Sequence, residues 1–234
     1  MHGAGDLARA AGQPVPGSVR PSTGGDGVVI VRRLGLAPYA PTWRAMREFT
    51  AARTPDTPDE LWQLQHPPVY TVGVAGRDQH LPRVDNGIPV VRTDRGGQIT
   101  YHGPGQVVLY TLLDLQRRGL SVHGFVRLLE GAVIDLLGRY GIADAHGRTD
   151  APGVYVGQAK IAALGLRIRH GRCYHGLALN IAMDLTPFAA IDPCGYPQLP
   201  VTSVQALGVD RPTDEIAQAL VDALARRIGA EVSA

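Results

Sequence analysis

A mixed α/β or α+β domain is what the order of apolar periodicities predicts. Three observations carry that expectation. Short β-branched runs bounded by Gly, Pro or Asn recur along the chain, a few segments carry apolar residues at helical spacing, and the two kinds interleave without a strict strand–helix–strand rhythm. Mixed sheets therefore fit better than a doubly wound parallel one.

Residues 1 to 27 are rich in Gly, Pro, Ala and Ser and show no period, which predicts a disordered extension ahead of a single domain spanning 28–234. Order begins with the run Val28 to Val31. Trp43, Met46 and Phe49 give Thr42 to Ala52 a helical spacing. Asp59 to Gln65 leads into His66-Pro67-Pro68, and Val69 to Val72 reads as a strand, as do Val90-Val91. A Gly-rich loop from Arg95 to Gln106 precedes a buried strand, Val107 to Leu113. Ser121 is placed to cap a helix from Val122 to Tyr140, with Val122, Phe125, Val126, Leu129, Val133, Leu136 and Leu137 as its stripe and Gly141 as its stop. Val154 to Val156, Lys160 to Ile168 and Cys173 to Ile181 read as consecutive strands. A last helix runs from Pro212, in its first turn, to Ile228, with Ile216, Leu220, Leu224 and Ile228 facing inward.

The chain has 234 residues, 44% of them hydrophobic, so a sizeable core is available. No run approaches the roughly 20 apolar residues of a membrane span, and the N-terminus lacks the layout of a secretory signal. Two cysteines, Cys173 and Cys194, are too few for a disulfide framework, which points to a reduced, cytoplasmic protein. A net charge of +2 does not call for nucleic acid. The make-up of that charge is more telling, because 22 arginines accompany one lysine, Lys160. GC-rich coding explains the bias. The surviving lysine is either an ordinary surface cation or an amine kept because it can lose its proton when buried.

Three segments hold candidate chemistry. Arg95-Gly96-Gly97-Gln98-Ile99-Thr100-Tyr101-His102 and the following Gly103-Pro104-Gly105-Gln106 combine close backbone approach with polar and aromatic side chains. They match neither a phosphate loop nor a dinucleotide fingerprint. Cys194 stands on a Pro- and Gly-bounded turn suited to projecting its sulfur, although a small buried hydrophobe is the common fate of such a residue. Cys173 lies within a strand and reads as core. Lys160 neighbours small and apolar residues able to desolvate its amine, and a lysine–cysteine pair of this kind can exchange a proton near neutral pH. His66, His102 and His175 sit in loop-like contexts. No set of residues has metal-ligand spacing, and no nucleophile elbow for a serine hydrolase occurs.

Taken together, His66 to Gly73, Arg95 to Gln106, Lys160 to Gly165, His175-Gly176-Leu177-Ala178-Leu179-Asn180 and Pro193-Cys194-Gly195 follow one another in an order that resembles the lipoate-protein octanoyltransferase family over about residues 28–228. The resemblance implies a larger mixed sheet plus a smaller one with flanking helices, as in the catalytic domains of biotin and lipoate protein ligases. It implies transfer of octanoyl from acyl carrier protein, through a thioester on Cys194 activated by Lys160, to a lysine of a lipoyl domain. The acceptors implied are the lipoyl domains of 2-oxoacid dehydrogenase complexes and the glycine cleavage H protein. Substrate contacts would fall on Arg95 through His102, on Ala163, Leu164 and Gly165, and on Gly176, Leu177 and Ala178. Backbone N–H groups near Cys194 or in a Leu164–Gly165 turn would hold the oxyanion. No cofactor, metal or ATP is implied, and a monomer is expected. Tyr196 stands where an aliphatic residue was expected. An ATP-dependent lipoate ligase, a cysteine thioesterase and a non-catalytic binding module are the rival readings.

Overall fold

The computed structural model describes residues 27–78, 81–192 and 199–233. Cys194, its neighbour Tyr196 and nearly all of the N-terminal segment lie outside the described residues. Among the described residues, eight strands form a large mixed sheet and three form a small one.

The chain enters through β1 (Val28–Leu36), crosses over by α1 (Tyr39–Ala52) and returns as β2 (Asp59–Gln65), parallel to β1. It then leaves to build the small sheet from β3 (Val69–Val72), β4 (Val90–Arg92) and β5 (Ile99–His102). There β3 is central, parallel to β4 and antiparallel to β5. The remaining strands β6 (Gln106–Leu112), β7 (Ala145–Gly147), β8 (Gly153–Val156), β9 (Ala159–Arg169), β10 (Arg172–Asn180) and β11 (Glu231–Ser233) complete the large sheet. Its order is β11-β1-β2-β6-β10-β9-β8-β7.

Helices α2 (Val122–Arg139) and α3 (Thr213–Arg227) lie together on one face of the large sheet. Period-2 alternation sends Val107 and Leu109 of β6 and Leu177 and Leu179 of β10 into the same core as Leu129, Val133, Leu136, Leu220 and Leu224. The intervening residues Val108, Tyr110, Tyr174 and Ala178 pack on the other face against Met46 of α1. Ser121 caps α2 by accepting from Gly124 N at 3.0 Å, and Gly141, with φ of 82°, lies just beyond the helix end.

Several expectations need correcting. Ile99–His102, expected as loop, is a strand, because β3 offers it an antiparallel partner. His102, given a loop-like context by its following glycine, is a buried strand residue. His175, given the same context although it falls within the expected Cys173 to Ile181 strand, is buried in that strand. Val122 leaves its stripe and is 48% exposed, since it sits in the first turn of α2 beyond the sheet. Pro212 is the N-cap of α3, outside its first turn. The short edge strands β7 and β11 carry too little apolar signal to have been anticipated.

Candidate functional site

A cleft opens where β5 of the small sheet faces β9 and β10 of the large one, enclosing about 740 Å³ counting its mouth. All of the expected substrate-contact residues line it except Gly96 and Tyr101. The pleat explains Tyr101. Thr100 and His102 point across the cleft, whereas Tyr101 turns to the far side, its ring 5.5 Å from Phe188 and 5.6 Å from Tyr70. Gly96 is occupied otherwise, donating its N–H to Leu166 O at 2.8 Å and so fastening the Arg95 turn to β9.

Arg95 spends its guanidinium on protein rather than leaving it to a ligand. It donates to Thr71 Oγ1 at 3.0 Å, Gly96 O at 2.9 Å and Gln98 O at 2.9 Å. Those bonds clamp the turn over β3, and Gly73 lets the two backbones touch, since a Cβ there would meet Gly97 O at 2.3 Å. Leu164 and Gly165, expected in a turn, lie in mid-strand opposite Leu177 and Gly176. Gly165 forms part of the cleft floor. The Gly165–Gly176 pair keeps it low: a Cβ on Gly176 would fall 2.0 Å from Leu109 O.

Lys160 stands at the start of β9, only 4% exposed, at one end of this floor. Its Nζ donates to Pro152 O at 3.1 Å and lies 5.3 Å from the centre of the Tyr155 ring. The chain emerging from residue 199 runs beside it. Lys160 N donates to Pro200 O at 2.8 Å, and Thr202 N donates to Lys160 O at 3.0 Å. The reading of Lys160 as an exposed surface cation does not hold, because β8, β9 and the 200–202 segment enclose it.

A directed hydrogen-bond chain ties the small sheet to that segment. Arg95 donates to Thr71, whose hydroxyl lies 3.3 Å from His102 Nε2. His102 Nδ1 meets Gln106 Oε1 at 2.7 Å, Gln106 Nε2 donates to Asn180 Oδ1 at 2.9 Å, and Asn180 donates to Thr202 O at 3.0 Å. The amide orientation of Gln106 makes His102 the donor at Nδ1 and the acceptor at Nε2. His66 is fixed likewise. Its Nδ1–H donates to Ala37 O at 2.6 Å, and its Nε2 accepts from Tyr110 Oη at 2.7 Å. Burial pushes the His66 imidazole down to about 4 and holds His102 well below the usual histidine range, so both are neutral.

Farther from Lys160, Asp94 gathers His175 Nε2 at 3.0 Å, Trp43 Nε1 at 2.8 Å and the Tyr174 hydroxyl. Burial alone would raise the Asp94 carboxyl, but these donors together hold it well below the usual carboxylate range. His175 has φ of 63°, a left-handed conformation uncommon outside glycine, which stacks its ring on Tyr174. Its Nδ1 is buried without a hydrogen-bond partner among the described residues. Tyr39, Asp94 and Tyr110 went unnoticed in the sequence because nothing in their spacing marks them; Asn180 was noted only as the end of the motif that begins at His175. His175 carried a signal, a histidine directly before glycine in a β-rich segment, that loop propensity masked.

Of the two cysteines, Cys173 is fully buried within β10, its thiol pushed up to about 12 by burial. It is a core residue. Among the described residues no group of three or more His, Cys, Asp or Glu could hold a metal ion, and no helix is long and apolar enough to cross a membrane.

The lipoyl protein ligase A/B catalytic domain family model matches residues 38–225. An octanoyltransferase of Aromatoleum aromaticum is 56% identical over 206 residues, 88% of this chain and 88% of its own. One from Thiobacillus denitrificans is 57% identical over 203 residues, 87% of this chain and 92% of its own. Among solved structures, the bi-partite lipoate protein ligase of Thermoplasma acidophilum superposes with a TM-score of 0.69 at 19% identity, over 88% of this chain and 85% of that one. That likeness speaks for the fold.

Proposed function

We propose a mechanism of octanoyl transfer in protein lipoylation on the premise that this chain belongs to the lipoyl protein ligase A/B catalytic domain family and, within it, to the octanoyltransferases. It is an acyltransferase. The finer reading is a ping-pong reaction in which Cys194 carries the acyl group as a thioester and Lys160 moves the protons.

The observation that supports it best is the setting of Lys160, a buried amine at the end of a cleft floored by Ala163, Gly165, Gly176 and Ala178. Lys160 takes the Cys194 proton, and the thiolate attacks the carbonyl carbon of an octanoyl-carrier thioester. The bond to the carrier sulfur breaks, and that sulfur leaves with the proton from Lys160. The amine of a protein lysine then attacks the acyl-enzyme. Its proton passes by way of Lys160 to the Cys194 sulfur as the second carbon–sulfur bond breaks. The sum is thioester plus amine giving amide plus thiol, which is downhill without ATP.

Cys173 supports the choice of nucleophile by elimination, because a thiol raised to about 12 holds almost no thiolate at neutral pH. The apolar floor suits an acyl tail at roughly 0.8 kcal/mol per buried methylene, so two carbons more or fewer are worth about 1.6 kcal/mol. Acyl carrier protein is the proposed donor. Lipoyl domains of 2-oxoacid dehydrogenase complexes and the glycine cleavage H protein are the proposed acceptors, with the enzyme working as a cytoplasmic monomer.

The test mixes enzyme, octanoyl-acyl carrier protein and an unmodified lipoyl domain without nucleotide. The domain should gain one octanoyl group. Transfer that needs ATP and releases pyrophosphate from free octanoate would contradict the mechanism and favour a ligase.

A further inference from the structure

Glu130 lies on the buried face of α2 and is 2% exposed, an unusual place for a carboxylate among Leu129, Val133 and Leu136. One of its oxygens, Oε2, is held by Arg127 Nη1 at 2.9 Å. The other, Oε1, accepts from Gly153 N at 3.0 Å. The carbonyl on the other side of that same peptide bond, Pro152 O, is the acceptor for Lys160 Nζ at 3.1 Å. A single peptide group thus stands between the carboxylate and the amine, bonded to each.

We propose that Glu130 is a positioning residue for Lys160, acting through the Pro152–Gly153 peptide. The proposal rests on the acid–base reading of Lys160 given above. An amide whose N–H is given to a carboxylate has a more negative carbonyl oxygen, because hydrogen bonds in series polarise one another by roughly 10–30% each. That oxygen fixes the direction of one Nζ–H, and therefore of the lone pair that must receive the thiol proton. Two features of the backbone serve the same contact. Gly153 has φ of 148°, and a Cβ there would lie 2.4 Å from Lys160 Cε and 2.9 Å from Nζ, so the peptide approaches the amine only because residue 153 has no side chain. The β8–β9 register also slips here, with Val154 opposite Ala162 but Tyr155 opposite Lys160. This irregularity in the pairing lies beside the amine.

A purely structural role, in which Glu130 only satisfies a buried N–H at the start of β8, would alter stability and leave the pH behaviour of catalysis alone. The test is therefore single-turnover acyl-enzyme formation from octanoyl-acyl carrier protein across pH, with Glu130→Gln, Glu130→Met and Lys160→Ala, each checked for folding by circular dichroism and melting. Glu130→Gln keeps an acceptor for Gly153 without the charge and should slow the step about 10-fold. Glu130→Met removes the acceptor and should slow it about 100-fold, within the range typical of acid–base contributions. Both should displace the pH midpoint of the step and leave the donor KM within about 2-fold. Wild-type rates and midpoints in folded Glu130 variants, beside an inactive Lys160→Ala, would overturn the positioning role alone. A fully active Lys160→Ala would instead overturn the reading of Lys160 on which it rests. If Glu130→Met does not fold, Glu130→Gln decides.

Discussion

The two faces of the large sheet come from the same strands yet are built in different ways. Toward α2 and α3, Val107 and Leu109 of β6 and Leu177 and Leu179 of β10 form a mainly hydrocarbon layer in which Thr111, Cys173 and Glu130 are also buried. Toward α1 and the small sheet, the residues between them include Gln106, Tyr110, Tyr174 and Asn180, joined by imidazoles into directed hydrogen bonds. The first face derives its stability from burial, which tolerates shape changes gradually. The second depends on every donor finding its acceptor, which is unforgiving but fixes atoms in place. The cleft lies on the second face, where position matters more than cohesion.

This contrast makes graded predictions. The largest effect belongs to Lys160. Lys160→Arg keeps a basic side chain, but a guanidinium stays protonated at any accessible pH and cannot accept the thiol proton. Octanoyl transfer should fall by about 10³-fold or more with little change in melting temperature; near-normal turnover would make Lys160 a bystander. Next comes the hydrocarbon face. Leu220→Ala, at a fully buried position of α3, should cost about 2–5 kcal/mol in urea titrations while the folded fraction keeps its specific activity. Lost activity at unchanged stability would blur the division between the faces.

Acid should act on the polar face first. His66 is held neutral down to about 4, whereas in the unfolded chain it protonates below about 6.5. Between those values the unfolded state binds more protons, so stability is full above the upper value and falls as pH drops toward the lower one. At pH 5 the loss from His66 alone is roughly 2 kcal/mol, a fall in melting temperature of about 4–8 °C. His102 and His175, also lowered by burial, act in the same direction. His66→Gln should flatten the melting curve against pH in this window; an unchanged slope would mean that other groups govern it. The smallest effect is expected from Asn180→Ala, which deprives Gln106 of an acceptor and Thr202 O of its donor. It should cost about 1–2 kcal/mol and slow acyl transfer several-fold by loosening the segment beside Lys160. Loss of stability with transfer untouched would show that the chain of bonds ends short of the site.

The same contrast explains what the sequence could reveal. Helical spacing in 122–140 and 212–228 and the β-branched runs were legible because the hydrocarbon face writes itself as periodicity. Lys160 was legible as the only lysine, whereas Gly165 and Gly176 entered only through the family resemblance. The polar face has no such signature. The aspartate that orients His175 is 81 residues away in sequence, and Tyr39 reaches the cleft from the start of a helix. The glycine at 103 suggested a loop around His102, and the one at 176 conflicted with the expected Cys173 to Ile181 strand, yet Gly176 is required within that strand by the approach of Leu109 O. Nothing in the sequence marks Glu130, whose peptide partner at Gly153 lies 23 residues away.

The most direct test of the acyl-enzyme account is to quench the reaction of octanoyl-acyl carrier protein with the enzyme, digest at low pH and locate the acyl group by tandem mass spectrometry. The account predicts a hydroxylamine-sensitive octanoyl thioester on the peptide bearing Cys194, discharged on adding a lipoyl domain and missing in Cys194→Ser. Full transfer by Cys194→Ser, or an adduct confined to Cys173, would contradict it.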